Sequence, residues 1–144
     1  MSIAAELLVC LVVGVLDGDT LDVRCGEPGA YEQTRIRLSA IDTPEKAQPF
    51  GQRAKKALSD LCFKQQARVM PVTTDRYKRV VADVECRGQD VGQHMVRHGW
   101  AWVYRQYARG YDHLYPLERA ARDEKAGLWA DAKPVPPWEW RRGI

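Results

Sequence analysis

Two short acidic clusters punctuate the first third of the chain, Asp17-Gly18-Asp19-Thr20 and Asp42-Thr43-Pro44-Glu45. Two arginines accompany them: Arg37, just ahead of Asp42, and Arg79, closing the charged run Asp75-Arg76-Tyr77-Lys78-Arg79. These residue types suit attack on an anionic ester such as a phosphodiester. Its hydrolysis needs positive charge against the non-bridging oxygens and an activated water. A hard divalent cation held by carboxylates and a carbonyl supplies part of that charge. Guanidinium forks match phosphate geometry through paired hydrogen bonds, and a nearby carboxylate can take the water's proton. On this reading Asp19 and Asp42 hold the ion, Arg37 and Arg79 the phosphate, and Glu45 the water. Each piece alone has a plainer reading. Asp17-Gly18 is a hairpin turn, Thr43 and Glu45 are local caps, and the arginines are solvated surface charges. The combination carries the argument.

The elements that must position these groups can be read from pattern. Val9 to Val15 and Thr20 to Arg24 are β-rich runs flanking Asp17-Gly18 and read as a strand pair. Gly26-Glu27-Pro28-Gly29 is a turn cluster. Thr34 to Ile41 reads as a third strand, with Arg35 and Arg37 on one face and Ile36, Leu38 and Ala40 on the other. Thr43-Pro44 ends it, because proline cannot donate to a ladder and restrains its neighbour. Gln52 to Lys64 predicts an amphipathic helix, with Ala54, Ala57, Leu58, Leu61 and Cys62 at helical spacing. Ala67 to Thr73 and Val80 to Cys86 predict two further strands joined by the charged tip. Val91 to His98 and Leu117 to Lys125 predict two more helices, stopped by Gly99 and Gly127. Pro134 to Trp140 reads as irregular. Five strands and three helices predict an α+β domain, a five-stranded OB-type β-barrel with the helices packed around it. Closure would also hide the sheet edges.

The whole chain, 144 residues, reads as one domain with a core over about 7–130 and a Pro/Trp-rich tail over 131–144. A domain of this length buries roughly 70% of the surface its unfolded chain exposes, so it needs no metal or disulfide merely to hold a core. The net charge of +3 fits a polyanion partner but is too small to demand one. No segment is long and apolar enough to span a bilayer. The first basic residue is Arg24, so the positive region of a signal peptide is missing. Ser2 to Glu6 is read as the remnant of a signal cleavage site whose leader is absent from this sequence, which gives the expectation of a secreted or periplasmic protein. None of the four cysteines forms Cys-x-x-Cys, leaving zinc-ribbon and thioredoxin readings little support. Cys10 and Cys25 lie at equal distances from Asp17-Gly18 and would face each other across a hairpin. Two disulfides in an oxidising compartment and four buried free thiols both remain open. His94 and His98 share a helix face, but Met95 stands where the metalloprotease motif needs glutamate, so they read as helix surface. Trp100, Trp102 and Tyr104 alternate as packing residues rather than base-stacking ones. Trp138 and Trp140, followed by Arg141-Arg142, read as a tail pinned to the barrel, with nucleic-acid contact as the alternative.

The ordered set Asp17-Gly18-Asp19-Thr20, Arg37, Asp42-Thr43-Pro44-Glu45 and Asp75-Arg76-Tyr77-Lys78-Arg79 resembles the staphylococcal nuclease family. The resemblance runs on to Glu124-Lys125-Ala126-Gly127-Leu128-Trp129 and covers the chain from about Val9 to Trp129. It implies an OB-type barrel with three helices. It implies calcium (Ca2+) bound by the Asp19 and Asp42 side chains and the Thr43 carbonyl. Arg37 and Arg79 would hold the scissile phosphate, Glu45 would act as general base, and Arg76, Tyr77 and Tyr107 would contact the bound nucleotide. The family cleaves DNA and RNA, leaving 3′-phosphate and 5′-hydroxyl ends. The expected partners are therefore DNA and RNA substrates, with no obligatory protein partner and a monomeric chain. Lys78 stands where the family often has glycine, and Arg105 where a nucleotide-stacking tyrosine is expected. The loop after Glu45 is shorter and less lysine-rich. Cys62 and Cys86 fall on a helix and a strand that pack together in the family, so the resemblance allows a bond between them. The alternative function is an OB-fold nucleic-acid-binding module with weak or no catalysis. Such modules lose carboxylates or arginines, whereas this chain keeps the whole set.

Overall fold

The computed structural model describes residues 7–143, so the Ser2–Glu6 reading lies outside the described residues. Strands β1 (Leu8–Asp17) and β2 (Thr20–Cys25) form the expected antiparallel pair. The turn sits one residue later than the sequence suggests, with Asp17 opposite Thr20 and Gly18-Asp19 at the tip. Two register shifts, between Val12 and Gly14 and between Val15 and Asp17, bring Cys10 back opposite Cys25. Such irregularities bend a strand and raise its twist, which a small barrel needs.

Strand β3 (Glu32–Leu38) pairs with β2, β5 (Gln66–Thr74) with β1, and β6 (Val80–Cys86) with β5, all antiparallel. A parallel contact between β3 and β6, from Ile36 opposite Val80 to Leu38 opposite Ala82, closes the ring. The result is a five-stranded barrel in the order β3-β2-β1-β5-β6, the OB-type arrangement, with short β7 (Gln89–Asp90) added to β6. Inward alternation fills the interior with Val12, Leu21, Val23, Ile36, Leu38, Val69 and Val84. Helix α1 (Gly51–Cys62) adds Ala54, Leu58, Leu61 and Cys62, and α2 (Val91–Arg97) adds Val91, Met95 and Val96.

The third strand stops short of the predicted Ile41. Ala40 adopts a left-handed conformation, φ 65°, which breaks the run and turns the chain. The next two residues, β4 (Ile41–Asp42), pair instead with β8 (Trp102–Val103). Helix α3 (Leu114–Asp123) begins three residues before the predicted Leu117, because Pro116 fits a first turn, where its missing N–H has no intrahelical acceptor. It also stops before Lys125, which is left-handed at φ 54°. The tail is not irregular throughout: α4 (Pro137–Trp140) is a single turn with proline at its first position. Trp138 of that turn packs against a second apolar cluster of Trp102, Ala121, Leu128 and Trp129, so the tail is pinned by a tryptophan as read. Among the described residues no helix is long and apolar enough to cross a membrane.

All four cysteines are paired, Cys10 with Cys25 and Cys62 with Cys86. The first ties β1 to β2, and the second ties the end of α1 to the end of β6. Closing loops of 15 and 24 residues is worth about 3 kcal/mol each on the chain-entropy account. Domain stabilities total about 5–15 kcal/mol, so that is a large share. Reduction is therefore expected to lower the urea midpoint substantially, and the Cys62→Ala/Cys86→Ala double variant to lower it by a smaller amount. Identical unfolding curves with and without reductant would contradict this.

Candidate active site

Asp19 is delivered by the tip of the β1–β2 hairpin, which the rest of the fold presses against the chain after β4. A Cβ on Gly18 would lie 2.9 Å from Thr43 Oγ1 and 2.9 Å from the Ala54 Cβ. Only glycine lets the tip approach this closely. The approach is fixed by the Leu38 N–H donating to the Asp19 carbonyl (2.9 Å) and the Thr43 N–H donating to Asp19 Oδ2 (3.0 Å). Asp42 arrives from the other side on β4, turned back by the Ala40 bend. Glu45 follows on a loop seated on the start of α1. A Cβ on Gly51 would collide with the Glu45 carbonyl oxygen, so a side chain there would lift Glu45 away.

Arg37 joins the two acids. Its Nη1 lies 3.3 Å from Asp19 Oδ2 and its Nη2 3.3 Å from Asp42 Oδ1. Nη1 also donates to the carbonyls of Leu38 (3.1 Å) and Ile41 (2.9 Å). The two carboxylates therefore converge on one guanidinium, and both are buried, Asp42 at 1% exposure and Asp19 at 6%. Burial penalises the charge on Asp42 and, with the Asp19 charge beside it, pushes its carboxyl up despite Arg141 and Arg37. Burial opposes the charge on Asp19 too. The Arg37 guanidinium and hydrogen bonds from Asp17, the Thr43 N–H and Thr20 nevertheless hold Asp19 below the ordinary range. Asp17 absorbs the conflict: burial and the neighbouring Asp19 raise its carboxyl to about 7.

Asp17, Asp19, Arg37, Asp42, Glu45, Arg76, Arg79 and Tyr107 all line one cleft of about 500 Å³. Thr43 sits behind this surface, buried, with its backbone on Asp19. Tyr77 stays outside the lining, exposed at the rim, with the Arg76 and Arg79 guanidiniums 4.9 Å and 5.4 Å from its ring centre. Arg79 is aimed by Asp75. That carboxylate accepts from the backbone N–H of Tyr77 (2.9 Å) and Arg79 (3.0 Å) and from Arg79 Nε (2.8 Å). Lys78 is left-handed, φ 64°, so the turn keeps a backbone that favours glycine even though lysine occupies it. Arg105 lies 5.0 Å from the Tyr115 ring centre and stacks there instead of presenting an aromatic face. His94 and His98 lie against each other with ring centres 4.3 Å apart and planes tilted by 44°, away from the cleft.

Sequence reasoning missed three contributors. Asp17 was part of a motif but had no role. Gln48, buried, accepts from the Glu45 N–H (3.0 Å) and donates to the Val135 carbonyl (2.6 Å), tying the Glu45 loop to the tail. Arg141 reaches the cleft from the C-terminal side and pairs with Asp42 and Glu45. The Gln48 bond to Glu45 is local, three residues apart, but the contacts of Gln48 with Val135 and of Arg141 with Asp42 and Glu45 join positions about ninety or more residues apart, which no spacing or periodicity in the sequence reveals.

Residues 35–131 match the model of the staphylococcal nuclease homologue family. The chain belongs to the staphylococcal nuclease family. It is 42% identical over 137 residues to an uncharacterized endonuclease of Haemophilus influenzae, covering 95% of this chain and 75% of that protein. It is 39% identical over 141 residues to a micrococcal nuclease of Shigella flexneri, covering 91% and 79% of the two chains. An uncharacterized endonuclease of Escherichia coli is 44% identical over 132 residues, covering 90% and 82%. Within this staphylococcal nuclease-family site, the Asp75 brace makes a prediction that concerns only the structure. Burial works against the Asp75 charge, but the backbone and side chain of Arg79 and the Tyr77 N–H outweigh it and lower its pKa. A lowered folded-state pKa contributes stability that is present above the unfolded value, about 4, and lost as pH falls through the folded one. Protection of the Tyr77 and Arg79 amides, measured against the intrinsic exchange rate at each pH, is expected to fall over that acid window, and about tenfold in Asp75→Asn at neutral pH. Protection insensitive to both changes would show that Asp75 does not hold the turn.

Proposed function

We propose that this staphylococcal nuclease-family hydrolase is a calcium-dependent endonuclease acting on DNA and RNA, leaving 3′-phosphate and 5′-hydroxyl ends. The observation that carries the reading is the convergence of two buried carboxylates on Arg37, facing Arg79 and Glu45 within a single cleft. Two acids buried side by side repel each other and favour a cation between them. The donor set, Asp19 and Asp42 side chains with the Thr43 carbonyl, is all hard oxygen and fits calcium. Among the described residues no three His, Cys, Asp or Glu side chains gather into a metal cluster, so water would complete the ion's shell. When bound, the ion would supply positive charge to the non-bridging phosphate oxygens and to the attacking water.

The chain's own residues do the rest. Arg79, braced by Asp75, holds the phosphate and meets the charge that grows on its oxygens during attack. Arg37 contributes from the wall, anchored by two carbonyls so that it costs little to organise. Glu45 takes the proton of the water that attacks phosphorus, and the bond from phosphorus to the 5′ oxygen breaks. That oxygen leaves as a hydroxyl after taking a proton from the medium. Arg76 and Tyr107 line the cleft where a bound nucleotide would extend, and Tyr77 offers a ring at its rim. The two disulfides support an oxidising compartment, and we assign the protein to an extracytoplasmic location.

Labelled DNA and RNA should be cut with calcium and left intact in EDTA. Activity surviving full chelation would remove the metal from the mechanism. Arg79→Ala should lower kcat by roughly 10²- to 10³-fold, the usual loss for one transition-state donor. Arg37→Ala is a poorer test, since uncovering two buried carboxylates costs about 3–5 kcal/mol of stability. Glu45→Gln should lower kcat by at least about 10²-fold, and a wild-type rate would reject Glu45 as base.

A further inference from the structure

The C-terminal tail brings one more cation into the cleft. Arg141 Nη2 donates to Asp42 Oδ2 at 2.7 Å, and Nη1 donates to Asp42 Oδ1 at 3.2 Å. Nη1 also donates to Glu45 Oε1 at 2.7 Å. Both oxygens of a carboxylate that is 99% withdrawn from solvent thus face one guanidinium fork. The arm that carries it is docked at several points. Trp138 stacks on Tyr104, 5.2 Å between ring centres and 6° from parallel, and meets Trp102 edge-on. Pro137 is buried, and Gln48 holds the Val135 carbonyl. The Arg141 N–H closes the turn onto the Pro137 carbonyl (3.0 Å). The residues of the family match end at 131, so this arm lies beyond them.

We propose that Arg141 is a tethered competitor of the divalent metal, occupying the Asp42 oxygens that the metal would take. The proposal rests on the reading of Asp19 and Asp42 as metal ligands. A dication taking the Asp42 oxygens that Arg141 now holds would face the Arg141 guanidinium at contact distance, and the two positive charges repel. Binding of one therefore weakens the other, and by linkage the effect is reciprocal. The tether matters because a docked group acts at an effective concentration of order millimolar or above. Trp138, stacked on Tyr104, keeps the arm docked, so its guanidinium need not be recruited from solution. The same fork holds Glu45, so one displacement uncovers both the metal ligand and the base. The arm thus sets a threshold of cation below which the site stays closed by its own arginine.

The test uses the full chain without nucleic acid. Calcium is titrated calorimetrically into wild type, Arg141→Ala and the neighbouring control Arg142→Ala. Arg141→Ala should bind calcium at least about fivefold more tightly, and Arg142→Ala should match wild type. In wild type, calcium should also quicken amide exchange at Arg141 and Arg142, because the displaced arm loosens; this second reading does not depend on the variant folding. Equal or weaker calcium affinity in Arg141→Ala, or tail exchange that calcium leaves unchanged or slows, overturns the competitor role while leaving the metal site standing. Calcium binding to neither wild type nor Arg141→Ala overturns the metal reading and the competitor role together.

Discussion

Bringing Asp19 and Asp42 into one buried spot sets like charge against like in a poor solvent for either, and most of the local structure can be understood as the means of tolerating that. Arg37 spans the two acids while its remaining hydrogens satisfy carbonyls of the Leu38–Ile41 bend. Thr20 and the Thr43 N–H stabilise Asp19 in its charged form. Asp17 takes up a proton more readily than a free aspartate, so three neighbouring acids do not all carry full charge. A pair of this kind is unfavourable for stability compared with apolar side chains of similar size. Its retention is understandable if the pair exists to hold cations, and the fold supplies two of its own, Arg37 and Arg141.

The barrel supplies the rigidity such a site demands. Asp19 comes from a hairpin tip, Arg37 from β3 and Asp42 from the bend beyond it. All three lie at one end of a closed ring whose register is set by inward-facing side chains. A slip of one residue would turn Arg37 inward and Ile36 outward. The Cys10–Cys25 bond locks β1 to β2, so the hairpin that presents Asp19 cannot slide. Arg79, by contrast, sits on a turn whose order depends on one carboxylate, Asp75, and on a lysine held in a left-handed conformation. The site therefore has a stiff half that gathers the acids and a softer half that presents the arginine.

What the sequence disclosed follows the range of the interactions involved. Strand pairs, helix spans and the facing of Cys10 and Cys25 depend on periodicity and turn chemistry within a few residues, and those were legible. The candidate site residues stood out as a set because their types are unusual together, and the structure brings Asp19, Arg37, Asp42, Glu45 and Arg79 to one cleft. The errors arose where tertiary context overrode local pattern. Ala40 continues the apolar alternation of β3, yet the chain bends there so that Asp42 can pair with Trp102. The third helix was read from Leu117 but starts at Leu114, with Pro116 in its first turn. Tail residues from Val135 onward read as irregular because their order comes from Trp102, Tyr104 and Gln48, which no local pattern connects to them.

That last failure has a physical consequence for how the cleft is completed. The loop carrying Glu45 has no regular structure of its own between β4 and α1. It is held from below by the close approach at Gly51 and from the side by Gln48, which bonds the Glu45 N–H with one end of its amide and the tail with the other. The proposed general base, Glu45, and the C-terminal arm are thus mechanically joined through a single buried amide. Displacing the arm would remove the Arg141 partner of the Glu45 carboxylate and the Val135 partner of Gln48, which holds the Glu45 N–H. A segment outside the barrel therefore meets the candidate site at two points, the Asp42 carboxylate and the loop that bears Glu45.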